Sequence, residues 1–294
     1  MRRIKLTIAY DGTEYSGWQV QENAETVQGV VSEALGELLR DCGDEQAMTE
    51  EGVELIGASR TDAGVHAEGN VAVFDTTARM PAEKFAYALN ARLPEDIRVL
   101  QSGEVSDNFH PRYTDSHKTY VYQILNAPIA IPTLTRYMHH IYEDLDINLM
   151  LDAEELFIGE HDFSAFCSAG AQVKSKVRTI ESLRVTEERL DVAVGASDGQ
   201  PDVVAGPGGS NPVPEDGRSS LTIPGKSGKI IRIEVTGTGF LYNMVRIIAG
   251  TLIEVGLARR TLDTVKRAIE EGDRTLAGPT APAKGLTLKQ ITYD

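Results

Sequence analysis

Apolar and polar residues alternate near the start of the chain. Ile4, Leu6, Ile8 and Tyr10 are interleaved with Arg3, Lys5 and Thr7, the two-residue period of a half-buried strand. The period then lengthens. Val27, Val30, Val31, Ala34, Leu35, Leu38 and Leu39 recur at helical spacing, with Thr26 placed to cap the start, so a helix is predicted that lays its apolar stripe on a sheet. Strand patterns return at 53–58 and 71–75. A second helix opens at Pro81, with Phe85, Ala88 and Leu89 on one face, and 97–105 reads as a strand again.

The second half repeats this alternation. Residues 119–125 place Tyr120, Tyr122 and Ile124 on one strand face and Thr119, Val121 and Gln123 on the other. A short capped helix is predicted over 152–159, an extended segment over 177–194 and a strand over 229–235. In 241–255 the apolar positions Leu241, Val245, Ile248, Leu252 and Val255 form a helical stripe, and Tyr242 and Arg246 share a neighbouring face. A helix over 262–271 and a strand over 286–293, which closes the sheet, complete the pattern. The expected fold is α/β in the α+β sense: two related domains, each a mainly antiparallel sheet with helices on one face and a cleft between them. The division is placed near 110–115, giving an N-terminal domain 1–112 and a C-terminal domain 113–294.

Composition adds three constraints. Between Gly195 and Gly225 the chain turns to glycine, proline, serine and aspartate, which reads as a mobile hairpin insertion without catalytic residues. No apolar run reaches membrane-spanning length and the N-terminus lacks a signal-peptide core, so a cytoplasmic protein is expected. Cys42 and Cys167 belong to no C-x-x-C pair, and the six histidines show no ligand spacing, so neither a disulfide framework nor a metal is expected. The charge is unusual: 44 acidic against 29 basic residues give −15. Such a protein does not coat nucleic acid nonspecifically, and any RNA must be met by a local basic cleft. A salt-rich, haloarchaeal type of cytoplasm would account for the acidity.

The densest chemistry lies in Ser59-Arg60-Thr61-Asp62-Ala63-Gly64-Val65-His66-Ala67, a loop between two predicted strands. Residue types alone leave Asp62 open as a nucleophile, a general base, a metal ligand or a turn residue bonded to its own backbone. Arg60 can pair with a phosphate or merely cover apolar surface, and His66 can pair with Asp62, face RNA or sit in the structure as a satisfied histidine.

The run Arg60 to Ala67 resembles the R-T-D-A-G-V-H-A motif of the TruA family of tRNA pseudouridine synthases, without a mismatch. The likeness continues through Tyr10-Asp11-Gly12, Tyr15, Gly17-Trp18-Gln19 and Thr26-Val27-Gln28. It extends to His161-Asp162-Phe163, Phe166, the run Gly239 to Arg246, and Gly278-Pro279-Thr280-Ala281-Pro282, so it spans nearly the whole chain. The resemblance implies Asp62 as the catalytic aspartate and nucleophile, Tyr120 as the tyrosine that stacks on the target base, and Arg246 as the cation paired with the aspartate. It further implies Arg60 as an arginine that helps expose the target nucleotide, with His66 a further substrate-binding candidate. The implied reaction isomerises uridine to pseudouridine in the anticodon stem and loop of tRNA, without cofactor or metal, on a homodimer that one tRNA spans. A catalytically silent tRNA-binding or folding protein on this scaffold is the alternative. A glycoside hydrolase built on Asp62 is a further one, which needs a second carboxylate about 5–9 Å away. Three features depart from the family pattern: the 195–225 insertion, Ala283-Lys284-Gly285-Leu286 near the end, and His117-Lys118-Thr119 before the tyrosine. The basic residues expected on the cleft rim are Arg2, Arg3, Arg60, Arg112, Lys118, Lys174, Lys176 and Arg178.

Overall fold

The N-terminal alternation becomes strand β1 (Arg2–Tyr10), with Ile4, Leu6 and Ile8 wholly buried. The structure is a computed structural model that describes residues 1–49, 52–170, 173–190 and 228–294. The predicted hairpin at 195–225 and the end of the segment predicted over 177–194 lie outside those residues. After β1 come α1 (Val27–Asp41), the short strands β2 (Met48–Thr49), β3 (Gly52–Val53) and β4 (Ile56–Gly57), then β5 (His66–Thr76), α2 (Phe85–Asn90) and β6 (Ile97–Val105). The second half contributes β7 (Ser116–Asn126), α3 (Pro132–Thr135), β8 (His139–Ile141), α4 (Ile147–Asp152) and β9 (Gly159–Asp162). It ends with β10 (Val177–Leu190), β11 (Gly228–Gly237), α5 (Met244–Gly256), α6 (Leu262–Glu271) and β12 (Leu286–Tyr293).

Helix α1 starts where the capping rule places it, with Thr26 Oγ1 accepting from Gly29 N at 3.3 Å. Its stripe of Val27, Val31, Ala34, Leu35, Leu38 and Leu39 joins Ile4, Leu6 and Ile8 in one core. That core continues into the second half through Tyr120, Tyr122 and Ile124 of β7 and the largely buried α5.

Ten strands form one sheet among the described residues, in the order β6-β1-β5-β12-β7-β11-β10-β9 with β4 added on β5 and β8 on β7, while β2 and β3 pair in a separate two-stranded ribbon. Among the described residues only the β5–β12 and β7–β8 pairings are parallel, so the sheet is mainly antiparallel, as expected. Strand β12 is the seam between the halves. Its Leu288 pairs with Ala67 of β5 on one side and with Tyr120 of β7 on the other. The residue after the Asp62 loop and the predicted stacking tyrosine are therefore two strand spacings apart, about 9–10 Å.

Four elements differ from the sequence reading, the first being the second helix, which opens at Phe85 rather than at Pro81, with Ala82–Lys84 making only a 3₁₀ turn. The segment read as a strand over 53–58 is broken at Leu55, whose carbonyl accepts from Gln28 Nε2 at 2.8 Å instead of from a neighbouring strand. The helix expected at 152–159 lies earlier, over Ile147–Asp152, because the capping carboxylate is Asp146, which accepts from Asn148 N at 2.9 Å. Residues Glu154–Phe157 make only a 3₁₀ turn. Helix α5 begins at Met244 rather than at 241, after Asn243 in the left-handed region (φ 61°). The Asn243 side chain makes no capping bond there and is used in the site instead.

Candidate active site

Asp62 stands in the loop between β4 and β5, and the N-terminal loop after β1 grips that loop from several directions. Trp18 N donates to Thr61 O at 3.1 Å, Gly64 N donates to Tyr15 O at 3.2 Å, and the Tyr10 hydroxyl lies 2.7 Å from Thr61 Oγ1. Wholly buried Asn70 donates to Ser59 O at 3.0 Å. The approach is close enough to require glycine. A Cβ on Gly17, which has φ +95°, would lie 2.6 Å from Thr61 O, and one on Gly12 would lie 2.0 Å from Val65 O. The Tyr-Asp-Gly and Gly-Trp-Gln runs of the sequence are thus the cradle of the Asp62 loop.

Across the seam, α5 brings Arg246 to Asp62, with Nη1 3.3 Å from Oδ2. Arg246 is fixed before it reaches the carboxylate. Its Nε donates to Ala281 O at 2.8 Å and its Nη1 to Asn243 Oδ1 at 2.7 Å, while Ala281 N returns a bond to Arg246 O. The 3.3 Å contact is longer than an optimal charge-assisted bond, which leaves the carboxylate only loosely engaged. Burial pushes the Asp62 carboxyl above its ordinary range, and the charge and hydrogen bond of Arg246 pull it only partly back.

Tyr120 closes the third side. Its ring meets Phe240 edge to face at 5.2 Å, and its hydroxyl lies 2.8 Å from Ser59 Oγ. Burial, followed by the negative charge of Asp62, pushes the phenol up to about 12 against the opposing Ser59 bond. At neutral pH the hydroxyl is therefore a neutral donor and acceptor. Tyr122, two residues on and on the same strand face, donates to Pro282 O at 3.0 Å and so ties β7 to the segment that holds Arg246.

The remaining candidates lie outside this cluster. Arg60 is exposed, with no hydrogen bond or ion pair among the described residues. His66 is buried at 4% exposure, away from Asp62. Burial pushes its imidazole down. In that neutral ring Nδ1 accepts from Gly12 N at 3.1 Å, although Asp11 Oδ1 lies equally near. Asp11 is held in turn by Arg136 and Tyr137, so His66 belongs to a brace behind the loop. On the expected rim, Arg2 and Arg3 are occupied with Glu104 and Asp75 and with backbone carbonyls. Arg112 and Lys118 have no carboxylate partner among the described residues, and burial lowers both cations. Arg178 donates to Ser175 O and Val177 O.

Sequence reasoning passed over Asn243, Ser59 and Phe240, which touch Arg246 and Tyr120, and Asn70, which holds the Ser59 carbonyl. Asn243 and Phe240 stand inside the quoted run Gly239 to Arg246, and Ser59 directly precedes Arg60, so only the reason for their presence was hidden.

Comparison with known proteins places this geometry. The family model described as tRNA pseudouridine synthase matches residues 6–114 and 153–294. A protein named tRNA pseudouridine synthase A 2 of Clostridium tetani is 42% identical over 100% of this chain and 99% of its own length. Proteins named tRNA pseudouridine synthase A of Ruminiclostridium cellulolyticum and Acetivibrio thermocellus are 43% and 41% identical over the full length of both chains. A solved Cbf5-Nop10-Gar1 complex covers 93% of this chain and 69% of its own at 10% identity and a TM-score of 0.26, too low to inform the fold. With a family model matched across both halves and relatives above 40% identity from end to end, the chain belongs to the tRNA pseudouridine synthase family.

Proposed function

We propose that this protein isomerises uridine to pseudouridine in tRNA with Asp62 as the nucleophile, Tyr120 holding the base and Arg246 holding the carboxylate. The observation that carries this reading is the 3.3 Å Asp62–Arg246 contact between two largely buried side chains, with Tyr120 near enough for the Asp62 charge to act on its phenol. The reaction breaks the N1–C1′ bond of the uridine, turns the uracil and forms a C5–C1′ bond. The C5 proton is lost and N1 is reprotonated, so atoms balance without a co-reactant. An ionised Asp62 attacks C1′ as the N1–C1′ bond breaks, and its ester bond to C1′ breaks in turn when C5 bonds C1′, returning the carboxylate; Arg246 supports the charge that burial disfavours. The freed uracil stays between the Tyr120 face and the cleft wall by stacking. A base inside a stem must be extruded to reach Asp62, and the unpaired guanidinium of Arg60 at the mouth fits that task. His66 contributes by keeping the loop seated on Gly12.

The substrate segment is the anticodon stem and loop, and the working form is a homodimer with one tRNA lying across both copies, in the cytoplasm. Among the described residues no helix is long and apolar enough to cross a membrane. The test is nucleotide-resolution pseudouridine mapping of unmodified tRNA after incubation with the wild type and with Asp62→Ala, in high salt. Pseudouridine in the anticodon arm from the wild type alone is the expected result. Its absence from both, with binding intact, would move the protein to a catalytically silent tRNA binder, and its presence with Asp62→Ala would remove Asp62 from the chemistry.

A further inference from the structure

The connection between β6 and β7, residues 106–115, is anchored on one side and bare on the other. On the inner side Arg3 donates to Asp107 O and Phe109 O, and the Phe109 ring packs edge to face on Tyr293 at 4.8 Å. Lys5 lies over both of those rings, and the Tyr293 hydroxyl donates to Pro111 O at 3.0 Å. The turn His110–Tyr113 is closed by Tyr113 N and Thr114 N, both donating to His110 O. On the outer side the His110 and Tyr113 rings stack at 4.2 Å with 28° between their planes. Tyr113 nevertheless remains 82% exposed, the most exposed large hydrophobic residue described. The turn sets the two rings together, with Arg112 N donating to His110 Nδ1 at 3.1 Å, and the exposed Tyr113 ring leaves one face open for a third ring to continue the stack.

The surroundings identify that third ring. Arg112, between the two aromatics, donates from Nε to Gly57 O at 2.7 Å and so docks the turn against β4, on the strand that leads to Ser59 and Asp62. Arg112 lies close enough to Arg60 for the two charges to repel, and no carboxylate relieves either cation among the described residues. Lys118, on the same face of β7 as Tyr120, is half-buried and equally without an acidic partner. In a chain of net charge −15, the unneutralised Arg112 and Arg60 beside an exposed aromatic stack, with Lys118 on the Tyr120 face of β7, fit an anionic, ring-bearing ligand. Nucleic acid with an unpaired base has that chemistry.

We propose that the His110–Tyr113 stack is a platform for an unpaired nucleobase of the RNA substrate, next to the nucleotide delivered to Asp62, with Arg112, Arg60 and Lys118 taking the adjoining phosphates. This rests on the reading of the protein as an enzyme acting on tRNA. Sequence context around the target uridine is then read partly at Tyr113, by stacking strength rather than by base-edge hydrogen bonds.

The experiment measures binding of unmodified tRNA, and of a blunt RNA duplex without unpaired bases, to Tyr113→Phe, Tyr113→Leu and Tyr113→Ala in an Asp62→Asn background. It is paired with single-turnover isomerisation at saturating tRNA in the Asp62 background. Tyr113→Ala and Tyr113→Leu are expected to weaken tRNA binding about tenfold while Tyr113→Phe binds like the parent. Duplex binding and the saturated rate should not change. Arg112→Ala should lower the salt slope of tRNA binding by about one, which Tyr113→Ala should not do. Unchanged affinity in Tyr113→Ala, or a loss in Tyr113→Phe as large as that in Tyr113→Ala, overturns the platform. Tyr113-dependent binding without any isomerisation by the wild type would overturn the reaction and leave the platform standing.

Discussion

At the scale of single residues, the site opposes burial to charge. Burial raises the Asp62 carboxyl and Arg246 restores part of the loss, so its ionised form leans on one cation. Single-turnover isomerisation should fall as pH drops through a value above the ordinary 3.8 of aspartate. With Arg246→Gln the burial remains and the opposing charge is gone, so that acid limb should move to higher pH; a rate profile that keeps its position would separate Arg246 from the ionisation of Asp62. Gly17 supplies a second prediction. Alanine there must hold φ +95° with its Cβ 2.6 Å from Thr61 O, so the loop must shift. Turnover at saturating tRNA should drop about a hundredfold, while far-ultraviolet circular dichroism stays that of the wild type. What the sequence conceals at this scale is purpose. Asp62 could be found because a whole run of neighbours matches a family motif, but a glycine that exists to let another loop approach looks like any turn glycine until both loops are placed. Asn243 is a similar case: read along the chain it is a poor start for a helix, and only in space is it the acceptor that aims Arg246.

At the scale of elements, long periodic segments were legible and short ones were not. β6, α6 and β12 coincide with the predicted ranges 97–105, 262–271 and 286–293, because each carries several turns or pleats of unbroken pattern between clear breakers. β4, β8, β9 and α3 are two to four residues long and owe their form to neighbours, β4 to its pairing with β5 and β8 to its pairing with β7. Non-local hydrogen bonds of that kind leave no period in a sequence. One such link offers a test. His117 of β7 bonds to Glu181 of β10 at 2.8 Å and to Asp294 at 3.1 Å, and these carboxylates push its imidazole up. The folded value is above the unfolded one, so the contribution to stability is complete below the ordinary 6.5 of histidine and is lost as pH rises through the raised value. The wild type should therefore lose melting temperature between pH 6 and pH 8 relative to His117→Gln; parallel melting curves would show that the link carries no stability.

For the molecule as a whole, the charge reading and the site reading meet at the cleft mouth: a surface of net charge −15 surrounds a patch where Arg60, Arg112 and Lys118 stay unneutralised. Salt should therefore act in opposite directions on fold and binding. Screening of the acidic surface should raise the melting temperature as KCl is added, while tRNA affinity falls along the same series. A melting temperature still rising at molar KCl is the outcome expected of a protein adapted to a salt-rich cytoplasm, whereas a plateau near physiological ionic strength would leave its acidity without that explanation. The α+β class and the mainly antiparallel sheet were readable from pattern; the shared sheet was not, because nothing in 286–293 says which strands flank it. That placement bears on how the protein is made. β12 is synthesised after every other strand among the described residues, yet it sits between β5 and β7 near the middle of the sheet. Until it arrives, both halves of the nascent chain carry an open strand edge, the surface on which partly synthesised chains pair with the wrong neighbour. A chain cut short before Leu286 lacks the strand that joins the half holding Asp62 to the half holding Tyr120 and Arg246.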